Sequence, residues 1–388
     1  MDYAPHLAQF RRLLAQIESA EAREADMLAE PFHMSPDIYW RPERHALETQ
    51  KLFRRAPLLL GHAGMLPKPG DMLVLDVIGQ PLLLVRGRDG EIRGFLNVCR
   101  HRGTRLCNGD DVQRRSQITC PYHNWVYDLD GRLKHVPLEE GFPGLDRTGR
   151  GLRRIPLGVR EGMIFGVVDP DAPMDLDGFL AGIEADFGIF GFRDMPFFAR
   201  AMTKRKTNWK LIMDAFLESY HIQRLHRNTI GPFFADNRAV LDRVGPHLRN
   251  VVARVEFPEI AQLPEAQWDP RRHSTFAYLL FPNTVLVLHP DYTSILTMYP
   301  TAPDETLFSH VMLTPHAPRN EDEKAHWQRS FDLIEGGVFQ AEDLHISEQA
   351  QIGMASGANP TMIYGRYESG IRVFHETLDE WLGTGSLI

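Results

Sequence analysis

Apolar side chains along this chain change their spacing twice. Near the start Leu7, Phe10, Leu13, Leu14 and Ile17 recur at helical intervals. This predicts an amphipathic helix near 5–29, ended by Pro31. From about 40 to 165 the helical period gives way to short apolar runs, such as 72–77 and 81–85, separated by glycine and proline turns. Gly87-Arg-Asp-Gly90 reads as a hairpin turn, and so does the glycine turn of 125–131. Beyond 165 both periods occur. Residues 209–225 read as a helix, and 275–288 and 292–300 as strands joined by a turn at His289-Pro290-Asp291. Residues 307–314 read as a third strand, 320–352 as a long charged helix and 371–382 as a closing helix. The stretch 228–270, with Gly231, Pro232, Gly245, Pro246, Pro258 and Pro264, reads as a long irregular loop of the kind that serves as a lid. The pattern predicts an α+β chain in three parts. These are an N-terminal helical segment over 1–39, a small antiparallel β domain over 40–165, and a larger domain over 166–388 with an antiparallel sheet flanked by helices.

Composition narrows the partners. A chain of 388 residues has room for two cores. Its formal net charge of -8 and lack of a basic run argue against nucleic acid. No apolar run approaches the ~18 residues of a membrane span, and the N-terminus lacks the uninterrupted apolar core of a secretory signal. Three cysteines give no disulfide framework, so a cytoplasmic location is expected.

Two short segments change the picture most. Cys99-Arg-His101 and Cys120-Pro-Tyr-His123 each supply one thiol and one imidazole, with 18 residues between the segments. A zinc finger usually puts both cysteines in one hairpin and both histidines in the other. The mixed pairing is what a Rieske [2Fe–2S] centre needs: two thiolates hold one iron and two imidazoles the other. On spacing alone, a four-ligand zinc site is the alternative. Cys107 stands outside the pairing and reads as a small buried residue. A second constellation, Glu218-Ser-Tyr-His221-Ile-Gln-Arg-Leu-His226, places two histidines five residues apart. They converge only if the helix ends or widens between them. Otherwise they are surface histidines on a polar helix.

The stretches 99–103 and 120–125 resemble the two cluster loops of Rieske non-haem iron oxygenases, in the alpha, or terminal oxygenase, subunit of ring-hydroxylating systems. Asn208-Trp209-Lys210, followed by an acid and His-x4-His, resembles the catalytic helix of the same family. Residues 336–349 resemble its late helix. The resemblance implies one [2Fe–2S] cluster per chain on Cys99, His101, Cys120 and His123. It also implies one mononuclear Fe(II) per chain on His221, His226 and Asp343, with Glu342 as the nearest competitor for the third place. Three protein ligands leave open positions on such an iron. Glu218 shares a helix face with His221. In the family an acid here bridges subunits, hydrogen-bonding an iron-ligand histidine of its own chain (here His221) and a cluster histidine of the next (here His123). Most members have aspartate. Members acting on quaternary ammonium compounds commonly have glutamate, but with a cysteine where this chain has Ile222.

The function implied is a terminal oxygenase. It would use dioxygen, and electrons from a reductase or ferredoxin, to mono- or dihydroxylate or oxidatively demethylate a small organic, preferentially aromatic, substrate. NAD(P)H would act indirectly through the separate reductase. A head-to-tail homotrimer is implied, with a separate beta subunit possible. A quaternary-ammonium N-demethylating monooxygenase is the alternative within the class; a Rieske electron carrier is the alternative outside it, and a zinc-stabilised binding protein is more distant. A carrier has no use for His221, His226 or the long stretch after the cluster loops. Phe216, Leu217, Phe233, Phe234, Phe276, Tyr278, Leu286 and Leu288 are the candidates for an apolar substrate pocket.

Overall fold

The computed structural model describes residues 4–109 and 111–385 and divides into two compact units. The smaller is Phe53–Phe179 with Gly191–Asp194. The larger is Met1–Leu52, Leu180–Phe190 and Met195–Ile388. The division falls after Leu52, whereas the residue pattern suggested 39. The segment before it is tied to the larger unit by charge. Glu48 is fully buried and accepts hydrogen bonds from Lys210 Nζ at 2.7 and 2.9 Å, from Trp209 Nε1 at 2.9 Å and from Arg44 Nε at 2.9 Å. Arg44 in turn reaches Asp379 at 2.9 Å. A carboxylate buried with this many donors is held ionised, and Lys210 and Arg44 keep its pKa below the usual range against the cost of burial. At the other end, Met163–Gly166 pairs with Leu58–His62, so the smaller unit runs past 165.

The smaller unit is built of short antiparallel strands. Asp71–Val77 pairs with Gln80–Arg86, which pairs with Ile92–Leu96 across the Gly87–Gly90 turn. A second sheet joins Ile118–Thr119, Val126–Tyr127 and Leu133–His135. Its turn uses Gly131 at φ +82°, where a side chain would also strike the Phe95 ring.

The larger unit carries a seven-stranded antiparallel sheet. In chain order its strands are β1 (Phe197–Arg205), β2 (Phe234–Val244), β3 (His247–Arg254), β4 (Ser274–Leu280), β5 (Thr284–Leu288), β6 (Thr293–Ala302) and β7 (Glu305–Leu313). Their order across the sheet is β1-β7-β6-β5-β4-β3-β2. Two expectations are corrected here. The irregular stretch 228–270 contains β2 and β3, a hairpin turning at Gly245, φ +58°. Its charges (Asp236, Arg238, Asp242, Arg243) hide the alternation of an edge strand. The single strand expected over 275–288 is itself a hairpin, turned at Phe281-Pro282-Asn283.

Helices lie on both faces. α1 (Ala4–Glu18) is shorter than predicted, because Ser19 caps a new helical turn over Ala20–Ala25. It brings His6 and Phe10 against Phe276, with ring centroids 5.2 and 6.2 Å away. On the same face Asp186 takes a hydrogen bond from Arg249 at 2.7 Å and one from Tyr278 at 3.0 Å. The stretch that carries His221 and His226 begins with α2 (Trp209–Ala215) and α3 (Ile222–Leu225). The late segment runs as α4 (Glu321–Asp332), a widened π-type stretch over Leu333–Asp343, and α5 (Leu344–Ala355). α6 (Ser369–Leu382) closes the chain. Among the described residues no helix is long and apolar enough to cross a membrane.

Candidate metal centres

The two Cys/His segments of the smaller unit fold to one plan. In the first, Cys99 N–H donates to Thr104 O at 2.8 Å and Gly103 N–H donates back to Cys99 O at 3.1 Å. In the second, Cys120 N–H donates to Trp125 O at 2.9 Å and Asn124 N–H donates back to Cys120 O at 3.1 Å. The fourth residue after each cysteine takes a left-handed conformation, φ +78° at Gly103 and +53° at Asn124, which glycine and asparagine tolerate best. Each loop therefore curls around its own cysteine and projects a histidine beside it. Asn97 clamps the first loop, donating to Cys107 O at 2.7 Å and accepting from Cys107 N at 3.0 Å. Cys107 itself is buried in the unit's core.

The structure brings all four predicted residues together. The His101 and His123 rings lie 4.8 Å apart. His101 stacks on Trp125 at 4.7 Å and meets the edge of Phe142, while His123 stacks on Tyr122 at 3.7 Å. Cys99 and Cys120 are buried, free thiols. Burial pushes the Cys99 thiol up, opposed by the Tyr127 hydroxyl and the His101 amide, which favour the thiolate. The Tyr127 oxygen sits 3.4 Å from Cys99 Sγ and accepts from Arg100 N at 3.0 Å. Both His101 Nδ1 and His123 Nδ1 are buried without a hydrogen-bond partner. Two orphaned imidazole nitrogens beside two thiols are a donor set that fits a metal cluster.

The second centre lies in the larger unit. The helix predicted over 209–225 breaks after Ala215, because Phe216 and Leu217 donate to carbonyls only three residues back. Glu218 to His221 form the turn, and α3 ends at Leu225, so His226 steps out of helical register toward His221. Their rings are 5.1 Å apart. Gly231 packs on this turn, where a Cβ would stand 2.8 Å from His226 O and 2.9 Å from Ile222 O. From the late segment, the π-type widening delivers Glu342 and Asp343 to the same place.

Each histidine is held from behind by a carboxylate. His221 Nδ1 is hydrogen-bonded to Glu218 Oε1, and Glu218 Oε2 also accepts from His221 N at 3.0 Å. His226 Nδ1 donates to Glu342 Oε2 at 2.7 Å, and Thr229 Oγ1 donates to the same oxygen at 2.7 Å. The opposite nitrogens then face one atom. Asp343 Oδ1 is 3.1 Å from His226 Nε2 and 3.8 Å from His221 Nε2, and it accepts no hydrogen bond. Burial disfavours charge on both imidazoles, but Glu218 at His221, and Asp343 with Glu342 at His226, outweigh it and raise both pKa values. One ligand atom from each of His221, His226 and Asp343 lies within 4.8 Å of the others. Two imidazoles with carboxylate-held Nδ1 and one free carboxylate oxygen fit a three-ligand metal site with open positions.

The sequence reading named Glu342 only as a rival ligand; its place behind His226 was not foreseen. Nor were Thr229 and Tyr127. A second acid beside a candidate ligand was the available signal for Glu342.

An apolar cavity opens on this triad. Phe216 and Phe234 line it as expected. Phe276 and Tyr278 do not; they point to the α1 face of the sheet.

Two family models match the chain. The Rieske [2Fe-2S] domain matches residues 56–146, and the ring hydroxylating alpha subunit (catalytic domain) matches residues 192–384. The carnitine monooxygenase oxygenase subunit of Acinetobacter baumannii is 28% identical over 352 residues, spanning 85% of this chain and 90% of that protein. The biphenyl 2,3-dioxygenase subunit alpha of Rhodococcus jostii is 42% identical over 155 residues, 40% of this chain and 33% of that protein. The crystal structure of a quaternary ammonium Rieske monooxygenase with a bound inhibitor superposes with TM-score 0.79 at 22% identity, covering 91% of this chain and 96% of that one. At that identity the likeness is one of fold.

Proposed function

Because the chain belongs to the Rieske oxygenase alpha subunits, and is therefore a terminal oxygenase supplied by a reductase or ferredoxin, we propose how its residues divide the work. Cys99, His101, Cys120 and His123 hold the [2Fe–2S] cluster, and His221, His226 and Asp343 hold the Fe(II). The cluster supplies single electrons and the iron supplies the site of dioxygen chemistry. Glu218 and Glu342 fix the tautomer and direction of the two imidazoles. The cavity walls exclude water and hold the substrate.

The substrate is a small, neutral, mainly apolar molecule, aromatic by preference. The observation that carries this is the cavity lining, in which no lysine or arginine occurs among the described residues. A betaine or carnitine needs a partner for its carboxylate as well as for its ammonium group. Of the carboxylates at the cavity, Glu218 is bonded to His221 and Asp343 faces the two Nε2 atoms as the third metal donor. The glutamate at 218 and the names of several relatives favour the quaternary-ammonium reading; the lining favours the arene. Purified holoenzyme with a surrogate reductase should couple oxygen uptake to hydroxylated product from small arenes. Uptake coupled to glycine betaine or carnitine alone would reverse the choice. The three free, buried cysteines support a reducing, cytoplasmic location.

Electrons pass between subunits of a homotrimer through Glu218, which is bonded to His221 on its inner side. Glu218→Gln should leave both metals bound and the cluster reducible, yet slow product formation about tenfold or more. Mixed trimers of His123→Ala and Asp343→Ala chains should regain activity that neither variant has alone. Verified mixed trimers without activity would exclude transfer across the boundary.

Tyr127 tunes the cluster. Its hydroxyl at Cys99 Sγ favours the more negative, reduced state. A hydrogen bond worth about 1 kcal/mol corresponds to on the order of 40 mV for one electron. Tyr127→Phe should lower the midpoint potential by that order, as measured by a redox titration of the visible spectrum. An unchanged potential would remove Tyr127 from this role.

A further inference from the structure

One face of the central sheet forms the floor of the cavity, and register makes it a grid. Asn250 stands opposite Ala277, and Ala277 opposite Val287. Two residues along, Val252 stands opposite Thr275. His289 directly follows Leu288, the last paired residue of β5, and lines the same cavity as Thr275. All six line the cavity, because side chains two apart on a strand share a face.

The second row of this floor holds two polar groups with nothing to bond. Thr275 Oγ1 and His289 Nε2 are buried and lack a hydrogen-bond partner. Both line the same sheet floor, where with Asn250 they are the polar groups of a mainly apolar surface. The His289 ring is stacked on Tyr292 at 4.2 Å, and its backbone carbonyl accepts from Arg271 Nε at 3.0 Å. The side chain is therefore held in place rather than free to turn outward. Burial, together with His310, Arg271 and Arg254, pushes the His289 pKa down to about 3. The ring is neutral at physiological pH, with one nitrogen a donor and the other an acceptor.

We propose that Thr275 and His289 are specificity-determining residues that bind one neutral hydrogen-bonding group, a carbonyl, hydroxyl or ring N–H, on an otherwise apolar ring substrate. This rests on the terminal-oxygenase reading and narrows its substrate class. Plain hydrocarbons leave both groups unpaired in a dry site. No lysine or arginine among the described lining residues meets a carboxylate or phosphate. A ligand with one such group satisfies the two side chains while its rings cover the apolar remainder. A site built to hydrogen-bond a substrate discriminates strongly against the analogue that lacks the group.

The test is equilibrium binding to iron-loaded, cluster-containing holoenzyme by calorimetry, with indan-1-one and indane as probes of nearly equal size. The wild type should bind indan-1-one at least tenfold more tightly than indane. Thr275→Val with His289→Phe should erase that preference and leave indane binding as tight or tighter. Equal binding of the two probes by the wild type would overturn the proposal. So would a preference that survives in the double variant, or failure of both probes to bind. Single variants Thr275→Val and His289→Phe, each with iron content measured, separate loss of recognition from misfolding. The oxygenase reading is judged separately, by three irons per chain and oxygen uptake coupled to product. A protein that keeps both but fails the binding test loses only the present proposal.

Discussion

Asp343→Ala is expected to abolish turnover and remove one iron per chain, while the visible and EPR spectra of the cluster stay unchanged. Among the described residues, Asp343 Oδ1 is the oxygen that faces both Nε2 atoms, at 3.1 and 3.8 Å. Alanine would leave two imidazoles, too few to hold the metal with a defined set of open positions. The neighbouring acid makes the comparison sharp. Glu342→Ala deletes the acceptor behind His226 Nδ1 and the partner of Thr229. Outer-shell losses of this kind typically cost about 10–100-fold in metal affinity or activity, so that variant should regain iron and turnover as Fe(II) is raised. Iron analysis and single-turnover product yield decide between them. If Glu342→Ala is dead at saturating iron and Asp343→Ala is not, the assignment of the third ligand is wrong.

Lys210→Met should be the most damaging single change to stability outside the metal sites. Lys210 and Glu48 are both fully buried, and methionine leaves the carboxylate with Arg44 and the Trp209 indole alone. Breaking a buried pair from one side costs roughly 3–5 kcal/mol. Arg44 remains, so a loss of about 3 kcal/mol is expected, a fall in Tm on the order of 10 °C for a unit of this size. The double variant Glu48→Leu with Lys210→Met should recover most of it, since no charge is then stranded. Calorimetry on the holoenzyme reads both. A single variant within 1 °C of wild type would show that the pair does not hold the 40–52 segment to the larger unit.

The acid pair at 342–343 also shows where a linear reading stops. Two adjacent acids on a helix look alike in sequence. The widened turn over Leu333–Asp343 aims one at the Nε2 atoms and the other at Nδ1 of the same histidine. The strands repeat the lesson. Even- and odd-numbered residues of β4 and β5 are equally apolar, so sequence alone proposed Phe276 and Tyr278 for the cavity. Register and the docking of α1 put those two on the far face and left Thr275, Ala277 and His289 inside.

What the sequence determined by itself is local. The turn chemistry at Gly103 and Asn124 follows from residue types within five positions of each cysteine, and the mixed Cys/His pairing narrows the site to a Rieske cluster or a four-ligand zinc. The α+β class followed from the change of period. Tertiary structure alone decided that Glu342 stands behind His226 while Asp343 faces both Nε2 atoms, which sheet face is the pocket, and that 234–254 is a hairpin rather than an irregular loop. The first two depend on partners more than twenty residues away or on the parity of a strand against its neighbour, and the hairpin on pairing across its own turn. Spacing within one segment carries no information about either.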